Sequence, residues 1–194
     1  GLPPILDRYD VDTVFSTGVA SPNPLYLEWE RAVEDEAPRR ITALQGQTIA
    51  LGPSTFIQVL NPEAPTPAGT SSDFNNGSAV LRLVHEDVSF LLMADIESET
   101  EGRLVRSGQH LQSTVLKVAH HGSRSSSTTG FLAAVSPRAA VISAGAPNPY
   151  GHPHAEVLQR LGDILPEGQL YTTARHGDIE FVSDGERLWV RTGG

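Results

Sequence analysis

Apolar residues along this chain fall into short runs, and the runs change character before its midpoint. Leu2–Arg8, with Pro3 and Pro4 near its start, predicts a short helix or helix end. Val11–Val19 predicts a strand ending near a glycine. Leu25, Leu27, Trp29 and Val33, set among acids, predict an amphipathic helix over Pro24–Asp35. Arg39–Leu44, Thr48–Leu51 and Thr55–Leu60 are β-prone pieces cut by Gly46 and Gly52-Pro53, the pattern of a meander. Asn61–Gly77 has few apolar residues and much Pro, Thr, Ser, Asn and Gly. It predicts a long surface loop, and loops of that length are often functional.

The second half alternates more regularly. Ser78–His85 and Val88–Ile96 predict strands joined by a turn at Glu86-Asp87. The second is nearly all apolar until Asp95, which predicts burial on both faces with a carboxylate at the strand's C-terminal end. Glu97–Ser107 reads as a helix whose acids gather at its N-terminal end, as the macrodipole favours. Ser113–Ala119 reads as a strand delivering His120 and His121. A helix over Ser127–Val135, a buried strand over Ala139–Ser143, a loop over Ala144–Pro153 and a helix over His154–Leu161 follow. Strands over Gln169–Ala174, Asp178–Val182 and Leu188–Arg191 close the chain. The order predicts an α/β domain with two sheets covered by helices.

Composition narrows the chemistry. The 194 residues are 39% hydrophobic and 19% charged, as in a globular domain. Fourteen basic against 23 acidic side chains give a net charge of -9, so nucleic acid is not bound by charge alone, and a phosphate substrate would need a bound cation. The absence of cysteine excludes disulfides, thiolate zinc sites and a cysteine nucleophile. No apolar run is long enough for a membrane span, and no basic-then-apolar leader pattern opens the sequence. Because Gly1 stands first, the sequence reads as a piece of a longer protein.

Three predicted strand ends carry candidate chemistry. Asp95 ends one strand, His120 the next, and Gly151-His152-Pro153-His154 follows the third, where α/β folds place ligand sites. Carboxylate and imidazole together suit zinc, manganese or iron in a catalytic role. On a strand His120 and His121 would point to opposite faces, leaving one of them as a ligand. Ser123 and Arg124, beside the histidines, are substrate-side candidates, whereas Ser126 and Ser127 fit a helix start. His85, His110 and His176 have no convergent partner in sequence and read as surface or turn residues. No Gly-x-Ser-x-Gly elbow, Walker motif or Rossmann fingerprint occurs.

Taken together, Leu116-Lys-Val-Ala-His-His-Gly-Ser-Arg-Ser-Ser-Ser, Ser136-Pro-Arg-Ala-Ala-Val-Ile-Ser-Ala-Gly and Asn148-Pro-Tyr-Gly-His-Pro-His resemble the C-terminal metallo-β-lactamase domain of ComEC/Rec2-type DNA-uptake proteins. Asn75-Asn-Gly-Ser-Ala-Val-Leu-Arg-Leu and Phe90-Leu-Leu-Met-Ala-Asp-Ile-Glu fit in the same order, so the resemblance runs from about Asn75 to Gly177. It implies a single domain over 1–194 with the αββα sandwich of that superfamily, incomplete at its N-terminus, since the first metal motif would precede Gly1. By position Asp95 resembles the bridging metal aspartate and His120-His121 the late metal histidines, with His120 favoured and His121 open. His152 resembles a catalytic or substrate-contacting residue, and Asn75 and Asn76 stand near another metal position, with Asn76 a substrate contact. The resemblance implies a zinc- or manganese-dependent phosphodiesterase or nuclease acting on DNA. It places the domain outside the cytoplasm, in a bacterial inner-membrane protein, beside that protein's channel region. A degenerate module that packs against a partner, and a hydrolase of another ester such as a choline phosphoester or a lactone, remain as alternatives.

Overall fold

In the computed structural model, residues 2–36, 38–64 and 71–193 are described. The central element is a seven-stranded mixed sheet in the order β3-β4-β5-β6-β7-β8-β9. Its first part is an antiparallel meander of β3 (Thr48–Ala50), β4 (Thr55–Asn61), β5 (Val80–His85) and β6 (Val88–Leu92). From β6 onward β7 (Val115–Lys117), β8 (Ala139–Ile142) and β9 (Leu170–Thr172) run parallel. Parallel neighbours need crossovers. Helices α4 (Ser98–Arg106), α5 (Thr129–Val135) and α6 (Ala155–Gly162) lie in those three connections. The expected α/β order therefore holds.

The three crossover helices share one core. Leu104 of α4, Phe131 and Leu132 of α5, and Val157 and Leu161 of α6 form a single buried cluster with Leu91, Leu116 and Ile142 of the strands. Each such side chain contributes roughly 1.5–3 kcal/mol by leaving water. The alternate face of the sheet is covered by a hairpin of β10 (Ile179–Ser183) and β11 (Leu188–Thr192). Phe181 meets Phe90 of β6 and Tyr171 of β9 edge-on, with ring centroids 6.0 Å apart in each case. Two packed sheets are thus present, but they are unequal.

Several boundaries differ from expectation. The stretch Arg39–Leu60 is not one meander: β2 (Arg39–Thr42) pairs in parallel with β1 (Thr13–Ser16) as a separate two-stranded sheet. Alternation alone cannot say which partner a short strand chooses. Within the expected 61–77 loop, Ser71–Asn76 forms a helix, α3, while residues 65–70 lie outside the described structure. α1 (Pro3–Leu6) and α2 (Pro24–Glu36) occur where predicted and pack together. In this front region Leu6, Val33 and Ala43 are buried, while Leu2, Ile5, Leu25 and Leu27 are exposed.

Two devices hold the C-terminal ends of the parallel strands. Glu101 of α4 is fully buried and reaches the start of α5, where the N–H groups of Ser127 and Thr128 donate to its Oε1 (2.5 Å) and Oε2 (2.8 Å). Burial pushes this carboxyl's pKa up, opposed by those two bonds and by Arg160. The second device is a turn after β7 in which His120 (φ 46°), His121 (φ 55°) and Gly122 (φ 81°) are all left-handed. Such backbone is strained for non-glycine residues and persists where surrounding structure over-determines it. Here a Cβ on Gly122 would stand 2.7 Å from Pro153 Cβ, and Gly122 O accepts the His154 N–H at 3.0 Å.

Two substitutions test these devices. Glu101→Ala leaves the N–H groups of Ser127 and Thr128 without their acceptor and should lower unfolding free energy by about 3 kcal/mol in chemical denaturation. Gly122→Ala should cost about 1–3 kcal/mol and shift the NMR resonances of His152 and His154, because Pro153 must move. An unshifted pair of histidine resonances would separate that contact from the site.

Candidate metal centre at the strand ends

The turn geometry corrects one expectation. His120 and His121 do not continue β7 as strand residues; they lie in a tight left-handed turn within Ala119–Gly122. Left-handed backbone at both positions turns both rings toward the carboxylates that follow β6. His120 Nδ1 lies 3.6 Å from Glu97 Oε1, and His121 Nε2 lies 3.6 Å from Asp95 Oδ1. The His120 N–H donates to Ala94 O at 2.9 Å, tying the β6 and β7 loops together. Asp95 itself lies past the end of β6, on a turn where Ala94 also takes a positive φ of 48°.

The loop before α6 closes the cluster. His152 stacks on His121 (centroids 6.4 Å, planes 21° apart) and meets His120 and His154 edge-on at 5.7 and 5.0 Å. Tyr150, 74% exposed, stacks on the other side of His152 at 5.8 Å. The His152 pKa is lowered, first by burial and then by the neighbouring imidazoles, against a smaller pull from Asp95. His121, Tyr150, His152, Asn148 and Thr173 line a cavity of about 340 Å³.

Outside this ring, hydrogen bonds fix the donors. His121 Nδ1 is 2.6 Å from Ser143 O; a carbonyl only accepts, so Nδ1 carries the proton. Glu97 receives hydrogen bonds from Ser72 Oγ and Asn75 Nδ2, each at 3.1 Å. Asn76 Oδ1 accepts from Glu97 N (2.9 Å) and Thr100 Oγ1 (3.0 Å), so its amide caps the start of α4. Lys117 lies deep near Asp95, its pKa lowered by burial and partly restored by that carboxylate, and Nζ donates to Val118 O at 3.1 Å. His154 Nδ1 is buried without a partner among the described residues.

The structure thus gathers Asp95, His120, His121 and His152 at one edge and adds Glu97 and His154. Glu97 was readable only as the second acid of Asp95-Ile96-Glu97, which a helix-start reading absorbs. Ser123 is buried in the turn, its N–H donating to His120 O at 2.8 Å and its Oγ meeting Ser125 Oγ at 3.1 Å. Arg124 extends into solvent, 4.0 Å from Glu156. Among the described residues no three His, Asp or Glu donors already stand close enough to hold a metal ion together. The donor types do suit one: imidazole nitrogen and carboxylate oxygen, with an orphaned buried nitrogen at His154.

No family model matches the chain. It is 43% identical over 103 residues to ComE operon protein 3 of Bacillus subtilis, a match covering 53% of this chain and 13% of that protein. It is 43% identical over 90 residues to competence protein ComA of Neisseria gonorrhoeae, covering 46% and 13%. With recombination protein 2 of Haemophilus influenzae it shares 36% over 117 residues, covering 60% and 14%. A solved putative metal-dependent hydrolase from Parabacteroides distasonis superposes with a TM-score of 0.46 at 8% identity, covering 86% of this chain and 77% of that one, too distant to bear on function. The matched segments are about one seventh of the relatives' lengths, so the chain is similar to one part of each of these proteins.

Proposed function

We propose that the strand-end cluster is the metal centre of a phosphodiesterase that cleaves DNA during uptake, within a larger membrane-associated protein. One observation carries the reading: two carboxylate–imidazole pairs, Asp95 with His121 and Glu97 with His120, each 3.6 Å apart on adjacent parallel strand ends. Neighbouring nitrogen and oxygen ligands on one tetrahedral zinc are roughly 3.4 Å apart, given bonds near 2.1 Å. No helix among the described residues is long and apolar enough to cross a membrane, so the reading needs a membrane region elsewhere in the protein.

The chain's own residues divide the work. The Ser143 carbonyl holds the His121 proton on Nδ1, leaving the Nε2 lone pair toward Asp95, the outer hydrogen bond common behind metal-binding histidines. This favours His121 as a ligand alongside His120. A divalent zinc or manganese ion held by Asp95, His120 and His121 would supply a more acidic water and positive charge against phosphoryl oxygens. His152, its pKa lowered by burial and the neighbouring imidazoles, can accept or relay a proton at the cavity. Tyr150 offers a nucleobase a stacking face, and Arg124 reaches solvent where it can meet a backbone phosphate.

Divalent-metal binding and single-stranded DNA cleavage by the intact protein test this. Chelation should abolish cleavage, and Asp95→Ala or His121→Ala should lower both metal affinity and kcat by at least about 100-fold. A rival reading is a non-catalytic packing module, since among the described residues no three donors already stand together. Absence of stoichiometric metal, with any cleavage unchanged in Asp95→Ala, would overturn the metal-centre reading. Turnover of a choline phosphoester or a lactone in place of DNA would move the same centre to another ester.

A further inference from the structure

The parallel strands have a second end, remote from the histidines, and a small polar cavity lies there on the helix-covered side of the sheet. It measures about 260 Å³, and Arg82, Asp87, Ser89, His110, Thr114 and Arg138 stand on its wall. The strand register puts three of these side chains on one face. Arg82 of β5 pairs with Leu91, Ser89 lies two residues before Leu91, and Thr114 lies two residues before Leu116, the neighbour of Leu91 on β7. Leu91 and Leu116 belong to the core beneath the helices. Pockets for drug-sized ligands run to roughly 300–1,000 Å³, so this one suits a small ion or the end group of a larger molecule.

Arg82 is its unusual member. Only 8% of the residue is exposed. Its Nε donates to Gln112 O at 3.0 Å and its Nη1 to Gln58 Oε1 at 3.3 Å, both neutral acceptors. Among the described residues Nη2 has no acceptor and the guanidinium has no ion pair. Burial pulls its pKa down from the usual arginine value, with no carboxylate to restore it. A buried charge ordinarily has a partner, because leaving one unpaired is among the costliest arrangements in a folded protein. The open side of a guanidinium fork matches phosphate oxygens in shape and charge.

The neighbouring hydroxyls are also donors in want of an acceptor. The Ser89 N–H donates to Thr114 Oγ1 at 3.1 Å, and the Thr114 N–H donates to Ser89 Oγ at 3.3 Å. Each hydroxyl oxygen therefore accepts from the opposite strand, and neither O–H has an acceptor among the described residues. Ser89 is buried. Exposed Arg138 adds a second positive charge to the same wall, its backbone held by a bond from its N–H to Thr114 O at 3.0 Å. Asp87 is the one acid among the described lining residues, and it pairs with neither arginine. A buried guanidinium and two hydroxyl hydrogens left over together call for an anion with several acceptor oxygens.

We propose that this cavity binds a phosphate group, free or at the end of a larger molecule, through the Arg82 guanidinium and the Ser89 and Thr114 hydroxyls, with Arg138 supplying the second charge. The site is independent of the metal-centre reading and stands or falls separately.

Thermal unfolding of the purified chain, with a chelator present and ionic strength held constant, tests it. Replacing chloride by inorganic phosphate should raise Tm along a saturating curve, by on the order of 5 °C at a hundred times Kd. Arg82→Met should remove the saturating rise, because a thioether cannot donate to phosphate oxygens. Arg138→Ala should raise the half-saturating concentration about tenfold. If Arg82→Met fails to fold, an unchanged half-saturating concentration in Arg138→Ala overturns the proposal. A 5′-phosphorylated oligodeoxythymidine and its unphosphorylated twin separate the two sources. A shift at lower concentration than inorganic phosphate needs, present only with the terminal phosphate, assigns the site to the end of a strand; no advantage over inorganic phosphate assigns it to the free ion. Absence of a shift overturns the proposal. So does a rise linear in phosphate and equal in the unaltered chain and both variants, which exclusion of the salt from the surface would produce. A saturating shift kept in both arginine variants but lost in His152→Ala overturns it too, by placing the anion at the histidines.

Discussion

A left-handed turn of three consecutive residues is hard to keep, and the candidate centre depends on one. His120, His121 and Gly122 stay in that region because each is held from a different direction. The His120 N–H is bonded to the β6 loop at Ala94, Gly122 O to His154, and the Gly122 Cα packs against Pro153 with no room for a methyl group. The turn therefore fastens three strand ends at once. Straightened into strand, it would send the two imidazoles to opposite faces and leave at most one beside the carboxylates.

Support for this turn comes from burial behind it. Glu101 anchors the start of α5 from α4, so the Ser123–Thr128 segment is closed at both ends, by the histidine turn and by a buried carboxylate. Arg160 of α6 adds a bond to Ser126 O at 3.2 Å. All three crossover helices thus contact one loop, and their shared apolar core makes that arrangement rigid. The other end of the sheet is organised differently. There Thr114 and Arg138 of the sheet and Arg187 of the hairpin line an open cavity.

Much of this was legible in the sequence. The nearly continuous apolar run before Asp95 announced a central strand, and the placement of Asp95, His120 and His152 after successive strands announced one edge. What was hidden depends on backbone sign and on partners distant in sequence. Nothing in Ala119-His120-His121-Gly122 alone states that two non-glycine residues take positive φ. Glu97 and Glu101 both look like helix-start acids, yet one faces His120 and the other is buried under α5. Arg82 reads as one polar residue in an alternating strand; only the absence of a facing acid on β4 and β6 makes it unusual. The partner of β2 was likewise invisible, because the parallel β1–β2 pair joins segments separated by a helix.

The brevity of β7 has a consequence for how the donor spacing is set. Its three residues are paired on both sides, with Lys117 opposite Leu92 on β6 and Val141 on β8. A slip of one position would carry the histidines roughly 3.3 Å along the sheet and exchange the places of Leu116 and Lys117 between faces. Fully buried Leu116 forbids that exchange. The distance between imidazole and carboxylate is thus governed by the hydrogen-bond ladder as well as by the loops. A substitution in the apolar strand, far from any donor atom, can detune the centre by changing the phase of the sheet.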